Sequence, residues 1–250
     1  MGLAGLLIVD DAQMARSTLP DTWGVDDLAL VLQDKRFTAA GQIDYTLSAS
    51  DRTNGYTGDV LLVNGALAPV WRAPSQWVRF RLLNGCNARA LVLRLGNSLP
   101  LLQVANEAGL LAVPVARPSV ALGPGERAEV LVDFSAMPAG QEVPLYASTA
   151  QGGMGMGDAA AATEVEAMRI RVSLPKQSNS ISSPPNTLPV RARSSRYLRR
   201  RGYADGAGRG ANGRGRLGDA PHVSLPRPRA RGRRHDGPVH HAVVEVSPRG

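Results

Sequence analysis

The residues that could do chemistry in this chain are few and widely separated. Cys86 is its only cysteine, and the first of its four histidines is His222, so more than half of the chain lies between them. A blue copper site requires two histidines and a cysteine at one place. We therefore expect Cys86 to be a buried structural residue, since a free cysteine commonly packs as a small hydrophobic side chain. A single cysteine also excludes an internal disulfide.

Two other groups could bind a soft metal ion. Met154 and Met156 lie in a glycine-rich run, and thioethers favour cuprous ion, but two of them on a glycine loop make a poor site, so we expect a surface loop. Three histidines and an aspartate near the C-terminus could capture a stray ion, but their neighbours are cationic: His235, Asp236, His240 and His241. We assign no catalytic, cofactor-binding or metal-ligating residue.

Charge divides the chain into two unlike parts. Residues 1–190 hold 14 Lys and Arg against 17 Asp and Glu, a net charge of −3, whereas residues 191–250 hold 15 Arg against 4 Asp and Glu, a net charge of +11. The second part has no Phe, Trp or Ile, so it has too little apolar area to offset the entropy of folding. We therefore expect a disordered Arg/Gly-rich tail. Its bias toward Arg, Gly, Ala and Pro also favours a frameshift near residue 190, because a GC-rich gene read in the wrong frame encodes such a composition.

Short apolar runs with turn residues between them predict an all-β fold. The residues of Trp77–Leu82 alternate, with Val78, Phe80 and Leu82 on one face, which predicts a half-buried antiparallel strand. At least eight such runs precede residue 173, a spacing typical of a β-sandwich: Leu28–Gln33, Val60–Val63, Trp77–Leu82, Leu91–Leu95, Leu101–Ala105, Ala128–Phe134, Val143–Ala147 and Met168–Val172. Asn64-Gly65 marks a turn after the second run.

Several motifs stand in order along this region. They are a Gly-Leu-X-Gly start before an apolar run, Trp23–Asp27, Gly58–Gly65, Arg79–Arg89 (which contains Asn-Gly-Cys-Asn-Ala-Arg), and Gly123–Phe134. In the last motif we expect Gly123-Pro124-Gly125 to form a tight turn, and Glu126 and Arg127 to form an ion pair at the start of a strand. Together these motifs resemble the second cupredoxin domain of the three-domain multicopper oxidases, near the bacterial cuprous oxidases, bilirubin oxidases and laccase-like enzymes.

The resemblance implies a Greek-key cupredoxin-like β-sandwich and a division of the chain. Residues 1–11 correspond to the last strand of a preceding cupredoxin domain, 12–27 to a linker, 28–173 to the plastocyanin-like second domain, and 174–190 to a Pro/Ser linker, followed by the tail at 191–250. Domains one and three, which carry the copper ligands and would be the partners of this domain, are expected to be missing.

Three functions therefore remain open. The first is a fragment of a multicopper oxidase, a copper-dependent enzyme that couples oxidation of cuprous ion or phenols to reduction of oxygen to water; this chain would bind no copper and be inactive alone. The second is a copper-free interaction module, similar to metal-less members of the family connected with bacterial cell division. The third is nucleic-acid binding through the arginines of the tail, where only Tyr197 and Tyr203 could stack on bases.

The expected location follows from the same resemblance and from the N-terminus. Multicopper oxidases of this kind are periplasmic, but the first residues lack the basic start and cleavage site of a signal peptide. The chain as it stands would therefore be cytoplasmic. The sequence contains no run of eighteen apolar residues, so we expect no membrane helix.

Overall fold

The computed structural model describes residues 3–8, 18–107, 109–149, 163–178 and 180–189. Within these residues the chain forms one six-residue helix and thirteen strands. Their bounds are β1 Asp27–Phe37, β2 Ile43–Asp44, α1 Ala49–Asn54, β3 Val60–Val63, β4 Ala66–Leu67, β5 Val70–Pro74, β6 Trp77–Asn84, β7 Leu91–Leu95, β8 Leu101–Asn106, β9 Gly109–Arg117, β10 Val120–Leu122, β11 Arg127–Asp133, β12 Glu142–Thr149 and β13 Thr163–Leu174. In this part of the chain, no helix has the length and apolar character needed to span a bilayer.

The strands form two sheets that pack face to face. The larger has the order β4-β3-β1-β6-β11-β8-β9, with β2 paired to β1, and the smaller has the order β10-β7-β12-β13-β5. Most neighbours are antiparallel, but β1 runs parallel to β6 and β13 runs parallel to β5. The predicted all-β sandwich is therefore confirmed in the described residues.

The core lies between the two sheets and consists mainly of aliphatic side chains with a few aromatic rings. Trp71, Phe80 and Phe134 meet edge to face, with ring centroids 5.7 and 6.5 Å apart. Val130 and Val132 point into this core, as the alternation of β11 predicts. Burial of such side chains contributes about 25 cal/mol per Å² of apolar surface and is the main stabilising term of the fold.

A second apolar cluster covers the opposite face of the larger sheet. Leu131, on the face of β11 that points away from the core, packs with Val104 of β8 and with Leu19 and Leu188 from the segments outside the sandwich. Both faces of β11 are therefore buried near its middle. The two connecting segments act as part of the fold, since each supplies a buried leucine.

The strand predicted at Trp77–Leu82 is confirmed, but the prediction that it is half-buried is wrong, and it pairs antiparallel only with β11. In β6, Arg79 is only 1% exposed and Arg81 only 8% exposed, although both lie on the face opposite the core. The strand lies between β1 and β11, and acidic residues of those two neighbours pair with both arginines. Alternation of charged and apolar residues marked the two faces correctly, but it could not show that the charged face would also be covered.

Candidate functional site: the loop around Cys86

The loop that follows β6 is held by the side chain of Asn84. Its Nδ2 donates hydrogen bonds to the carbonyl oxygens of Arg89 and Leu122, both at 2.8 Å, and its Oδ1 accepts from the backbone N–H of Cys86 at 3.0 Å. Asn84 is fully buried. One amide side chain thus replaces the backbone pairing that the chain loses where it leaves the sheet.

Arg89 closes the loop onto β1 through a buried ion pair. Its Nε donates to Asp34 Oδ2 at 3.0 Å, and its terminal nitrogen donates to the carbonyl oxygen of Gly58 at 2.6 Å. The N–H of Gly58 donates to the same Asp34 oxygen at 2.7 Å. Gly58 lies so close to the backbone of Asp34 and Lys35 that a Cβ atom would collide with it. Two motifs of the sequence, Gly58–Gly65 and Asn84–Arg89, therefore meet at Asp34.

The rest of the Gly58–Gly65 motif also has a structural role. Asn64 adopts a positive φ of 49° and Gly65 one of 81°, which forms the predicted turn between β3 and β4. The Asn64 side chain accepts from the N–H of Val31 at 2.8 Å and donates to the carbonyl oxygen of Ala29 at 2.9 Å. It continues the hydrogen bonding of β1 beyond the end of β3.

Cys86 is buried in this loop, as predicted, and its surroundings oppose formation of a thiolate. Its Sγ lies 3.9 Å from the carbonyl oxygen of Leu32. Burial, reinforced by the neighbouring charge of Asp34, raises the pKa of the Cys86 thiol to about 12. Because the thiolate is both the nucleophile and the metal ligand, this raised pKa disfavours both roles at neutral pH.

Copper, the metal that the family resemblance implies, does not fit the donors around Cys86. The thiol is held in its protonated form, and residues 1–190 contain no histidine. In the described part of the chain, no group of three His, Cys, Asp or Glu side chains is placed to hold a metal ion. The other donors considered above, Met154, Met156 and the histidines of the tail, lie outside the described residues.

A network of four charged side chains covers the outer face of β6. Asp27 of β1 receives two hydrogen bonds from Arg81, at 2.8 and 2.5 Å. Arg79 binds Glu129 of β11 through Nε at 3.0 Å and also through a terminal nitrogen. Weaker contacts of 3.9 Å between Arg79 and Asp27, and of 3.7 Å between Arg81 and Glu129, connect the two pairs.

The predicted ion pair between Glu126 and Arg127 is wrong. Arg127 instead pairs with Glu107 at 2.7 Å, while Glu126 accepts a hydrogen bond from the backbone N–H of Gly123 at 2.7 Å. The predicted turn itself is confirmed, because the Glu126 N–H bonds back to the Gly123 carbonyl oxygen and Gly125 has a φ of 78°. Glu126 belongs to the turn and Arg127 is the first residue of β11, so the two side chains face different partners.

Residues 3–8 lie against one end of the larger sheet and enclose a cleft of about 160 Å³. Leu6 and Ile8 are half-buried, while Leu3 is 92% and Leu7 72% exposed. The cleft is lined by leucines and by side chains that already have partners, including Arg81, Arg127 and Glu129. It offers no unpaired charge for a ligand, so its geometry favours packing of the chain over binding of a small molecule.

Sequence reasoning missed the residues that form the buried polar contacts. Asp26 lies in the motif Trp23–Asp27, but neither its bond to Gln76 nor the pairing of Asp34 with Arg89 has a local signal, since these partners lie 50 or more positions apart. The one available signal was the presence of arginines in the apolar strand β6. Charged residues are almost never fully buried without a partner, so such arginines require acids on the neighbouring strands.

Comparison with known proteins confirms the resemblance to the multicopper oxidases. A laccase-like multicopper oxidase, CueO from Ochrobactrum sp., matches 72% of this chain and 38% of its own with a TM-score of 0.61 and 34% identity. A variant of the multicopper oxidase McoA from Aquifex aeolicus matches 72% of this chain and 39% of its own with a TM-score of 0.63 and 32% identity. The sandwich is therefore cupredoxin-like, as predicted.

Comparison of the sequence with curated proteins finds relatives that are named as cell division proteins and not as oxidases. The cell division protein FtsP of Yersinia pestis is 44% identical over 151 residues, 60% of this chain and 31% of that protein. FtsP of Dickeya dadantii is 46% identical over 134 residues, 54% of this chain and 28% of that protein. The chain thus spans about a third of the length of the curated relatives it matches. No family model matches it.

Proposed function

We propose that this chain, whose fold is that of the multicopper oxidases, provides a copper-free cupredoxin-like domain of an FtsP-like protein and acts through protein contacts. The observation that carries the proposal is the 44% identity to the cell division protein FtsP of Yersinia pestis over 151 residues. In this function the domain connects and spaces other parts of the protein, and cell division is the process it serves. A periplasmic location, expected from the resemblance, forms part of the same proposal.

The chemistry of the described residues supports a role without copper. The motifs around Cys86 are used for internal hydrogen bonds, and the thiol is protonated at neutral pH. The polar groups of Asn84 and Arg89 point into the protein and bind backbone carbonyls or Asp34. A loop whose polar groups are already occupied is suited to fixing the shape of a domain.

The two outer faces of the sandwich support a role in protein contacts. On the larger sheet, Leu19 and Leu188 of the connecting segments pack on the outer face, and the arginines of β6 on that face are buried. The smaller sheet instead carries ion pairs on its exposed face. They are Arg94 with Glu164, Arg169 with Glu166 and Glu142, and Arg171 with Glu142. Arg94 also lies over the ring of Tyr146, 4.4 Å from its centroid. The covered face is the side on which neighbouring parts of the same protein would pack.

A second candidate function is a domain of a copper-dependent oxidase. The structural matches to CueO and McoA, at 34% and 32% identity, favour it. In that case other domains would supply the copper ligands, and cuprous ion or a phenol would be the substrate. Binding of nucleic acid by the tail stays a prediction, because the tail lies outside the described residues.

Exchange of domains would separate the two functions. The region of Dickeya dadantii FtsP that aligns with this chain is replaced by the aligned part of this chain, or by the aligned region of CueO from Ochrobactrum sp. as the control. Cell length is measured in Dickeya dadantii cells that make native FtsP, no FtsP, or one of the chimeras in its place; we expect the first chimera to match native FtsP and the second to match the cells without FtsP. Failure of the first chimera at normal abundance, or equal success of both, would contradict the proposal.

A copper titration tests the donor chemistry directly. In the full chain with its four histidines replaced by alanine, we expect no intense blue absorption from a copper–thiolate bond, since the only thiol is buried and protonated at neutral pH. We also expect no oxygen uptake with cuprous ion or a phenol. Stoichiometric copper binding with oxidase turnover in this variant would show that side chains other than histidine form a working copper site, and it would contradict the proposal.

A further inference from the structure

Two segments that are distant in sequence meet beside the larger sheet. The incoming segment, residues 18–26, leads into β1, and the outgoing segment, residues 175–178 and 180–189, follows β13. Leu19 of the first segment and Leu188 of the second belong to one apolar cluster, which also contains Leu131. The N–H of Leu188 donates to the carbonyl oxygen of Ala112 on β9 at 3.1 Å.

A chain of buried polar groups connects the same two segments. Asp26 is 2% exposed, and Gln76, in the turn between β5 and β6, is fully buried. Asp26 Oδ1 accepts from the N–H of Thr22 at 2.8 Å, and its Oδ2 accepts from Gln76 Nε2 at 2.8 Å. Gln76 Oε1 then accepts from the backbone N–H of Gln177 at 2.6 Å.

We propose that Asp26, Gln76 and Gln177 form a directional hydrogen-bond relay, in which Asp26 on the incoming segment holds the outgoing segment in place without touching it. The direction comes from Asp26, because its two oxygens accept from the Thr22 N–H and from the Gln76 amide, and an ionised carboxylate only accepts hydrogen bonds. Burial raises the pKa of this carboxyl, while the bond from the Thr22 N–H lowers it. Ionised Asp26 therefore orients the Gln76 amide with the NH₂ group toward itself. The Gln76 carbonyl oxygen is left facing Gln177, whose N–H requires an acceptor.

The relay sets the direction in which the chain leaves the sandwich. Gln76 is anchored at both ends of its own backbone, because its N–H donates to the Pro74 carbonyl oxygen at 2.9 Å and its carbonyl oxygen accepts from the Phe134 N–H at 3.1 Å. The Ser75 N–H donates to the Leu174 carbonyl oxygen at 3.1 Å, so β13 ends at the same place. This device is independent of whether the domain serves an oxidase or a copper-free protein.

The substitution Asp26→Asn replaces one accepting carboxylate oxygen with a donating NH₂ group and keeps the shape of the side chain. The introduced amide can accept from Thr22 or from Gln76, but its NH₂ group must face one of these donors. If Gln76 rotates its amide to remove that conflict, its own NH₂ group faces the N–H of Gln177. Every arrangement therefore leaves two donors opposed, and after rotation of Gln76 one of them is the N–H of Gln177 on the outgoing segment.

Hydrogen exchange of the full chain, followed residue by residue with NMR, tests the relay. In Asp26→Asn we expect the Gln177 amide to exchange at least about tenfold faster, since hydrogen bonds to charged or buried partners contribute on this scale. The matched control is Asp21→Asn, which neutralises an exposed carboxylate of the same segment. In this control the Gln177 amide should keep its wild-type exchange rate.

A compensating substitution distinguishes a relay from general damage. In the double variant Asp26→Asn with Gln76→Glu, the introduced carboxylate accepts both from the new amide and from the Gln177 N–H, so protection of Gln177 should return to the wild-type level. Unchanged exchange in Asp26→Asn, or a double variant no better than the single one, would overturn the proposal. If Asp26→Asn alone does not fold, the double variant decides, since the relay requires that it fold and protect Gln177.

Discussion

At the scale of single residues, the polar side chains inside this protein act in pairs that only the fold brings together. Asp34 lies 55 positions from Arg89, and Asp27 lies 54 positions from Arg81. The sequence showed Asn84–Arg89 as a motif, because its residues are adjacent. It could not show Asp34 as the partner of Arg89, because nothing in the sequence near Asp34 points to a residue 55 positions away.

The buried pair between Arg89 and Asp34 gives a sharp test at this scale. Arg89→Met keeps the length of the side chain but leaves the Asp34 carboxylate buried without its cation, and breaking a buried pair in this way costs about 3–5 kcal/mol. We expect the free energy of unfolding, measured by urea denaturation, to fall by that amount.

The matched control for this test is Arg94→Met. Arg94 pairs with Glu164 on the exposed face of the smaller sheet, where solvent screens the interaction and surface pairs contribute little. Arg94→Met should therefore lower the free energy of unfolding much less than Arg89→Met does. Similar losses in the two variants would show that Asp34 is reached by water or has another cation.

At the scale of elements, all eight predicted runs are strands in the structure, and four of the five missed strands have physical reasons. The strands β2 and β4 have two residues each, and β10 has three, too few for a periodic pattern. The strand β9 has nine residues but contains Pro114, which sequence rules place outside a strand interior. It is tolerated because β9 is the edge of the larger sheet, where an N–H is not required.

The two faces of β11 can be tested by substitutions at adjacent positions. Val132 is fully buried in the core, whereas Asp133 is half-buried and accepts a hydrogen bond from the Ser135 N–H at 2.8 Å. Val132→Asp buries a carboxylate without a partner and should lower the free energy of unfolding by about 3 kcal/mol or more. Asp133→Asn keeps an accepting oxygen and should cost far less. Equal effects on urea denaturation would contradict the register of β11.

The helix α1 gives a prediction for pH dependence. Ser48 and Asp51 form a capping box, and Asp51 also pairs with Arg36. The bond from Arg36, followed by those from Ser48, lowers the pKa of Asp51 from 3.8 to about 2. Because the folded pKa is below the unfolded one, ionised Asp51 stabilises the fold above about pH 4, and this contribution is lost as the pH falls toward 2.

The measurement compares thermal midpoints of the wild type and Asp51→Asn across pH. We expect the wild type to be the more stable at pH 6, and the difference to shrink steadily between about pH 4 and pH 2. Substitution of Arg36 by glutamine should weaken the same pH dependence. A difference that stays constant down to pH 2 would show that the stabilisation does not come from the charge of Asp51.

At the scale of the whole molecule, the sequence separates a folded region from a basic one. Residues 1–190 carry a net charge of −3 and residues 191–250 one of +11. In the described residues, the last strand ends at Leu174. Composition can predict where a core ends, because a core requires apolar area, but it cannot predict what a basic segment binds.

The last prediction concerns that basic region. Arginine side chains bind phosphate and sulfate groups in a manner that weakens with salt, so the full chain should bind heparin or RNA, with an affinity that falls steeply as salt rises. A chain that ends at residue 190 keeps only the acidic part and should not bind either. Its thermal midpoint should equal that of the full chain, since residues 191–250 have little apolar surface to contribute. Binding of RNA by the shorter chain would place the nucleic-acid site on the sandwich, and a lower midpoint would show that the tail packs against it.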